Sequence, residues 1–442
     1  MKPAALVMTI GVMAAARLGT AAPLAQKWRV AGCQELAKRT PTELVVADRK
    51  SKTIVRRDLA TGKLLPALPL ATAGKSVALA EATAATLVLD TGGTFVGVDA
   101  ATGKQRWSVA GKRAIRIDDD FALATAQKAK VTVQRIGGTS GARAWSADVP
   151  VAGKGELYSY AFDGAHVVVG IKEAKAFTVV AIDAKTGAIA WTAKLAVDSY
   201  HGAIVGPGTI VVEEKTQDGA ASAFHLLDAA TGKVAGKVEY KNAFAPAVGA
   251  GRLYVGTNDL DTRKGTLVAV DARTAKPVWS VTTASVNTLD GVGASGLVVE
   301  TAGVRRVVDV ATGKQVATFG LPQRENLALG DRGGPAITTC DGKETLALDL
   351  GGTDETAKVT GKIACKDCDA TTFPVALGDA TGTTDKTGAF TLTLVGAGRY
   401  ELEVPLEENG GIIGGTGKYV QLAGKGTYDL GTIKIAQPVL GD

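Results

Sequence analysis

The chain has 442 residues, of which 46% are hydrophobic and 21% charged, with 55 glycines and a formal net charge of +6. So apolar and weakly charged a composition excludes a disordered chain. The length suits two or three domains, or one large repeat domain plus a small one. The small charge gives no sign of the field of a nucleic-acid-binding protein.

The first expected element is an export signal over residues 1–22. Met1-Lys2 gives a positive start, Ala4 to Ala16 is an apolar run too short to span a bilayer, and Gly19-Thr20-Ala21-Ala22 offers small residues for cleavage. No later stretch is long and apolar enough for a transmembrane helix. Val30-Ala31-Gly32-Cys33 matches a lipidation box, but Lys27, Trp28 and Arg29 stand where that box needs an apolar run.

A repeat then fills residues 26–352. Asp-x-x-Thr-Gly-Lys occurs at Asp58, Asp99, Asp228 and Asp309, with variants at Asp183 and Asp271 and weaker copies at Gly137 and Asp349. The successive spacings are 41, 38, 46, 45, 43, 38 and 40 residues, a β-propeller period. Asp accepts hydrogen bonds from backbone amides just downstream and nucleates the turn. Gly supplies positive φ, and alternating apolar residues flank the turn as strands. Trp107, Trp191 and Trp279 stand eight residues after Asp99, Asp183 and Asp271, and Trp145 stands eight after Gly137. Trp28 opens a segment that matches the one at Trp107. Tryptophans at one phase read as packing anchors between blades. The copy at Asp349 lacks an outer strand and Trp28 lies on a strand with no motif before it. Joined, they complete one blade and close the ring. Eight blades are expected, or seven if the Gly137 or Asp349 copy is no hairpin.

The pattern Ala-x-Asp-x-x-Thr-Gly-x-x-x-Trp, met in full from Ala181 to Trp191, resembles the tryptophan-docking repeat of the pyrroloquinoline-quinone-like β-propellers. The resemblance implies the fold far more than an activity.

A second unit is expected over 355–437. Short alternating strands with Gly turns indicate a small β-sandwich. Their order resembles the carboxypeptidase regulatory-like, transthyretin-like domain, an accessory module. On that resemblance Asp385, Gly388, Phe390 and Tyr400 are structural. Four cysteines in an exported chain favour disulfides. Cys365 and Cys368 suit a small structural disulfide. Redox chemistry or half a zinc site are the alternatives. Cys33 and Cys340 are a candidate bond at one edge of the closing blade.

No catalytic constellation stands out. Quinoprotein dehydrogenases of the resembled superfamily are longer and carry adjacent cysteines, which do not occur here. Asp118-Asp119-Asp120 reads as a solvated link between blades. Asn258, Asp259 and Asp261 form a partial calcium loop without its glutamate. Tyr158, Tyr160, Tyr200 and His201 are expected in further links, on the face that also carries the turns from second to third strand. Those turns are basic, with Arg49, Lys50, Lys52, Lys128, Lys130, Lys172, Lys175, Lys215, Arg263 and Lys264. Such a rim suits an anionic partner, and it also serves solubility. The expected protein is a non-catalytic, exported, monomeric scaffold, periplasmic or at the cell surface. It needs no cofactor or metal, and its partner is another envelope protein or a glycan. A quinone-dependent oxidoreductase and a carbohydrate-binding surface protein are the alternatives.

Overall fold

Every regular element among the described residues is a β-strand. The computed structural model describes residues 22–436 except positions 24, 32–37, 41, 49–52, 70–76, 128, 153–154, 198–199, 216–220, 260–261, 263, 294–295, 302–303, 321–325, 329–335, 340–343, 350–355, 367–371, 379, 396–397, 405, 409–410, 414–417 and 423–425.

Seven separate four-stranded sheets, and four strands at the head of a nine-stranded one, follow one another along the chain. We number these blades 1 to 8: residues 38–69, 78–110, 113–150, 156–196, 200–241, 243–284, 286–320 and 326–349. Eight such units among the described residues are consistent with eight blades. Each is an antiparallel meander, and the first strands of consecutive blades touch from blade 1 to blade 7. The first strands are therefore innermost.

Blade 8 takes its fourth strand from the N-terminus. Ala25–Ala31 pairs antiparallel with Glu344–Asp349, and Trp28 stands opposite Ala347. A bulge at Lys27 precedes it, as bulges precede Trp107, Trp145, Trp191 and Trp279. Closure by an N-terminal strand removes two open sheet edges that would otherwise invite pairing with other chains.

The cores lie between blades. Val131, Val133 and Trp145 of blade 3 pack with Val167, Val169 and Ile182 of blade 4. Val168, Phe177 and Val179, on the other side of blade 4, pack with Ile210, Val212 and Leu227 of blade 5. A middle strand is thus buried on both sides and reads as a continuous apolar run, as in His166–Lys172 and Ala176–Asp183.

Residues 356–436 build their own core from Val359, Phe373, Val375, Phe390, Leu392, Tyr400 and Leu402. Thr356–Lys366 lies between Ala389–Val395, antiparallel, and Gly426–Ala436, parallel. Asp385 folds its turn by accepting hydrogen bonds from the Thr387 and Ala389 amides. The outer strand of blade 7 (Gln315–Gly320) pairs in parallel with Ala22–Pro23 and, at Gly320, with Gly398. This ladder joins the sandwich strand Gly398–Glu403 to the ring.

Candidate functional site

The repeated residues form one kind of joint. At Asp183, Oδ1 accepts hydrogen bonds from the Lys185 amide (3.1 Å), the Thr186 amide (2.7 Å) and the Thr186 hydroxyl (2.8 Å). The same set recurs at Asp99 and Asp271. These bonds favour the ionised carboxylate. The Thr102 hydroxyl and amide, followed by the Arg106 guanidinium, bring Asp99 down to about 2. Bonds from Thr186 lower Asp183, and bonds from Thr274 lower Asp271.

The turn of one blade receives the tryptophan of the blade before it. Trp107 Nε1 donates to the Gly138 carbonyl at 2.8 Å and Trp145 Nε1 to the Ala184 carbonyl at 2.9 Å. Trp191 Nε1 donates to Ala229 at 2.9 Å and Trp279 Nε1 to Val310 at 3.0 Å. The acceptor is always the residue after the aspartate, or after Gly137 in the weak copy. Each tryptophan also packs directly against the turn glycine. A Cβ on Gly187 would meet Trp145 at 2.8 Å, and one on Gly313 would meet Trp279 at 2.7 Å. The glycine is therefore required twice, by its positive φ (76° at Gly187) and by the indole. Of Trp28 only the backbone is described.

Two parts of this joint were not visible as motifs. Three of the four acceptor carbonyls take a second donor: the Thr86 hydroxyl at Gly138, Arg135 Nη1 at Ala184 and Arg252 Nη1 at Val310. Blades 5 and 6 also meet without a tryptophan. Gly236 stands at its phase, and the facing turn carries Ala275 at φ 56° in place of glycine. A Cβ on Gly236 would overlap that of Ala275. The large residue and the glycine have exchanged for a small residue and an alanine. Only the pairing between sequence-distant positions reveals this exchange.

Asp118–Asp120 does not link two blades. It turns the first strand of blade 3 (Arg113–Ile117) into the second (Asp120–Ala126). Asp120 pairs with Arg135 at 2.8 Å and accepts from the Gly138 amide, supplying the carboxylate that Gly137 lacks. Asn258 is likewise structural. It donates to the Val286 carbonyl and accepts from the Val286 amide, both at 2.8 Å, stitching blade 6 to blade 7. Among the described residues no group of three or more His, Cys, Asp or Glu is placed to hold a metal.

The aromatic residues expected in links stand instead on innermost strands. Tyr158 and Tyr160 belong to Glu156–Phe162, and Tyr200 and His201 to Tyr200–Gly206. These strands begin sooner than the sequence suggests, because the links between blades are short. Tyr158 and His201 occupy equivalent bulges, where the ladder skips from Leu157 to Ser159 and from Tyr200 to Gly202. Asn287 occupies the matching bulge in blade 7. A bulge re-aims the residue it displaces, so one register of the inner wall carries Tyr158, His201 and Asn287. Tyr160 is directed instead into the core between blades 3 and 4. Its hydroxyl is buried without a hydrogen-bond partner, and burial pushes the phenol well up.

Of the basic candidates, Lys130, Lys172, Lys175, Lys215 and Lys264 are described, and Lys172 caps an aromatic ring. Its ammonium lies 5.5 Å from the centre of the Tyr158 ring, a cation–π contact. Arg49, Lys50, Lys52, Lys128 and Arg263 lie outside the described residues, as do Cys33, Cys340 and Cys368. Of Tyr200 and His201 the side chains are not described. Cys365 is disulfide-bonded.

Residues 129–235 and 220–361 match the family model described as outer membrane protein assembly factor BamB, together more than half of the chain. The chain belongs to this family. It is a BamB-family propeller of the pyrroloquinoline-quinone-like class. No curated protein matches it in sequence. Among solved structures, BamB from Moraxella catarrhalis is 17% identical, with 74% of this chain and 97% of that one covered, at a TM-score of 0.48. The Dos1 propeller is 12% identical, with 75% and 96% covered, at 0.52. A europium-containing methanol dehydrogenase is 13% identical, with 74% and 93% covered, at 0.46. At these identities the likeness is one of fold. In this BamB-family chain the repeat's aspartates and the four described tryptophan side chains hold the ring together.

Proposed function

We propose that the protein is an exported, non-catalytic scaffold that docks another protein of the bacterial envelope on one face of its propeller. The observation that carries this reading is membership of a family described as an outer membrane assembly factor. The interblade joints support it. They place the aromatic and acidic residues of the repeat in the framework and free the turns to vary as recognition loops on a rigid support. The docking face is the one that bears the second-to-third-strand turns and the bulges at Tyr158, His201 and Asn287. The sandwich, tied to blade 7, assists docking.

The test is photo-crosslinking in intact cells from position 158 and, as a control, from Lys104 on the opposite face, followed by mass spectrometry. One envelope protein captured in stoichiometric yield from position 158 supports the reading. Recovery of the protein alone, or with a tightly bound quinone, overturns it.

A further inference from the structure

The proposed docking face carries both matched and unmatched charge. On blades 5 and 7 the acidic groups near that face are matched within the sheet. Ser222 donates to Glu213 at 2.9 Å, His225 and Lys237 each lie 3.0 Å from Glu214, and Arg305 meets Glu300 at 3.3 Å in a pair buried on both sides. Blades 3 and 4 bring unmatched cations beside an aromatic ring. Lys112 and Arg113 at the start of blade 3, and Lys175 in the second-to-third-strand turn of blade 4, are exposed, and among the described residues no carboxylate pairs with any of them. Lys172 stands opposite Glu156 in the ladder, yet its ammonium lies over the Tyr158 ring. The carboxylates that are paired here, Asp148 with Lys130 at 2.6 Å and Glu173 with Lys194 at 2.6 Å, engage other lysines.

These residues are brought together by topology. Arg113 opens an innermost strand, Tyr158 sits in the bulge of the next one, and the two strands touch. Lys172 and Lys175 flank the adjoining turn. The result sets Lys172 over an aromatic ring that is 40% exposed, with Lys175 in the adjoining turn and Lys112 and Arg113 at the start of the neighbouring inner strand. Unmatched cations on a fixed framework attract and orient an anionic partner, and the ring gives it an apolar contact.

We infer that Lys112, Arg113, Tyr158, Lys172 and Lys175 form the docking site for an acidic polypeptide segment of the partner. The inference rests on the protein-docking reading above and gives it a location and a chemistry. A peptide is the occupant favoured, because a bulged tyrosine capped by a lysine offers ring and charge side by side, matching a chain that alternates carboxylate and apolar side chains.

The probe is a fluorescein-labelled dodecapeptide alternating glutamate and leucine, titrated by anisotropy against the full chain. The double variants Lys112→Glu/Arg113→Glu and Lys172→Glu/Lys175→Glu should each weaken binding about tenfold or more, since like charges oppose the probe. Tyr158→Ala should weaken it at unchanged salt dependence. Lys104→Glu/Lys314→Glu, on the opposite face, should leave it unchanged. All these positions except Tyr158 and the half-buried Lys172 are exposed charges, and the thermal melt of each variant checks its fold. Equal effects on the two faces overturn the site. So does binding to phosphatidylglycerol vesicles that the same reversals abolish while the peptide fails to bind. The two readings fail separately. A partner crosslinked in cells but insensitive to these variants removes the site and keeps docking. Peptide binding with no partner in cells removes docking and keeps the site's chemistry.

Discussion

Replacing Gly187 with alanine separates the two demands made on the turn glycine. Gly187 has φ 76° and lies against Trp145; Gly208 has φ 75° and nothing within 4 Å of an added Cβ. Gly208→Ala therefore measures the backbone term alone, about 1–2 kcal/mol for a left-handed alanine. Gly187→Ala adds an overlap at 2.8 Å with Trp145, a residue 8% exposed whose indole is hydrogen-bonded to Ala184. Forcing a methyl into a packed site costs about 1–3 kcal/mol. The excess of Gly187→Ala over Gly208→Ala is expected in that range. The assay is urea unfolding followed by near-ultraviolet circular dichroism. In a Trp145→Gly background the excess should vanish, since Cβ and indole, the partners in the overlap, are both gone. Equal costs for the two alanines, or strict additivity with Trp145→Gly, would refute the reasoning. The Gly236–Ala275 joint is the chain's own version of that double variant.

Acid should weaken the fold over a defined window. Asp58, Asp99, Asp183, Asp271, Asp309 and Asp385 are all lowered in the folded state, chiefly by hydrogen bonds from turn hydroxyls and amides. A lowered carboxylate stabilises fully above its unfolded value near 4, and that contribution is lost as pH falls toward the folded value, about 2 at Asp99. Urea midpoints should hold above pH 5 and fall steeply from pH 4 to 2, with a shallower fall in Asp99→Asn. Trp191→Phe should cost more in hydrogen bonding than Trp145→Phe. The Ala184 carbonyl keeps Arg135 at 2.8 Å, whereas no second donor to the Ala229 carbonyl lies among the described residues. The difference should approach the roughly 1–3 kcal/mol of a buried acceptor left unmade, read from the same urea curves. Glu300→Ala should destabilise by up to about 3–5 kcal/mol, because one partner of the buried Arg305 ion pair is removed; an unchanged thermal midpoint would contradict this. Non-reducing peptide mapping should find Cys365 linked to Cys368, and a different partner would revise the expected cysteine pairing.

The blades were legible because each is built from local signals. The Asp-x-x-Thr-Gly turn is closed by hydrogen bonds spanning two or three residues, so the residues that make it are neighbours in sequence. The middle strands declare themselves by apolar runs, and the period by repetition. Even closure by the Trp28 strand could be read, as a strand without a turn meeting a turn without a strand. The Asp118–Asp120 turn and the position of Tyr158 and His201 could not. Strand starts and bulges depend on how the innermost strands meet around the axis, and that geometry joins strands from successive copies of the repeat. The same holds for the second donors Thr86, Arg135 and Arg252, and for the Gly236–Ala275 exchange. Each works across a joint between two blades. The candidate docking site belongs to this class. Lysines were countable in the chain. Which of them are matched by carboxylates, and which surround Tyr158, was decided by the packing of one blade against the next, because charge pairing depends on distance in space and not along the chain.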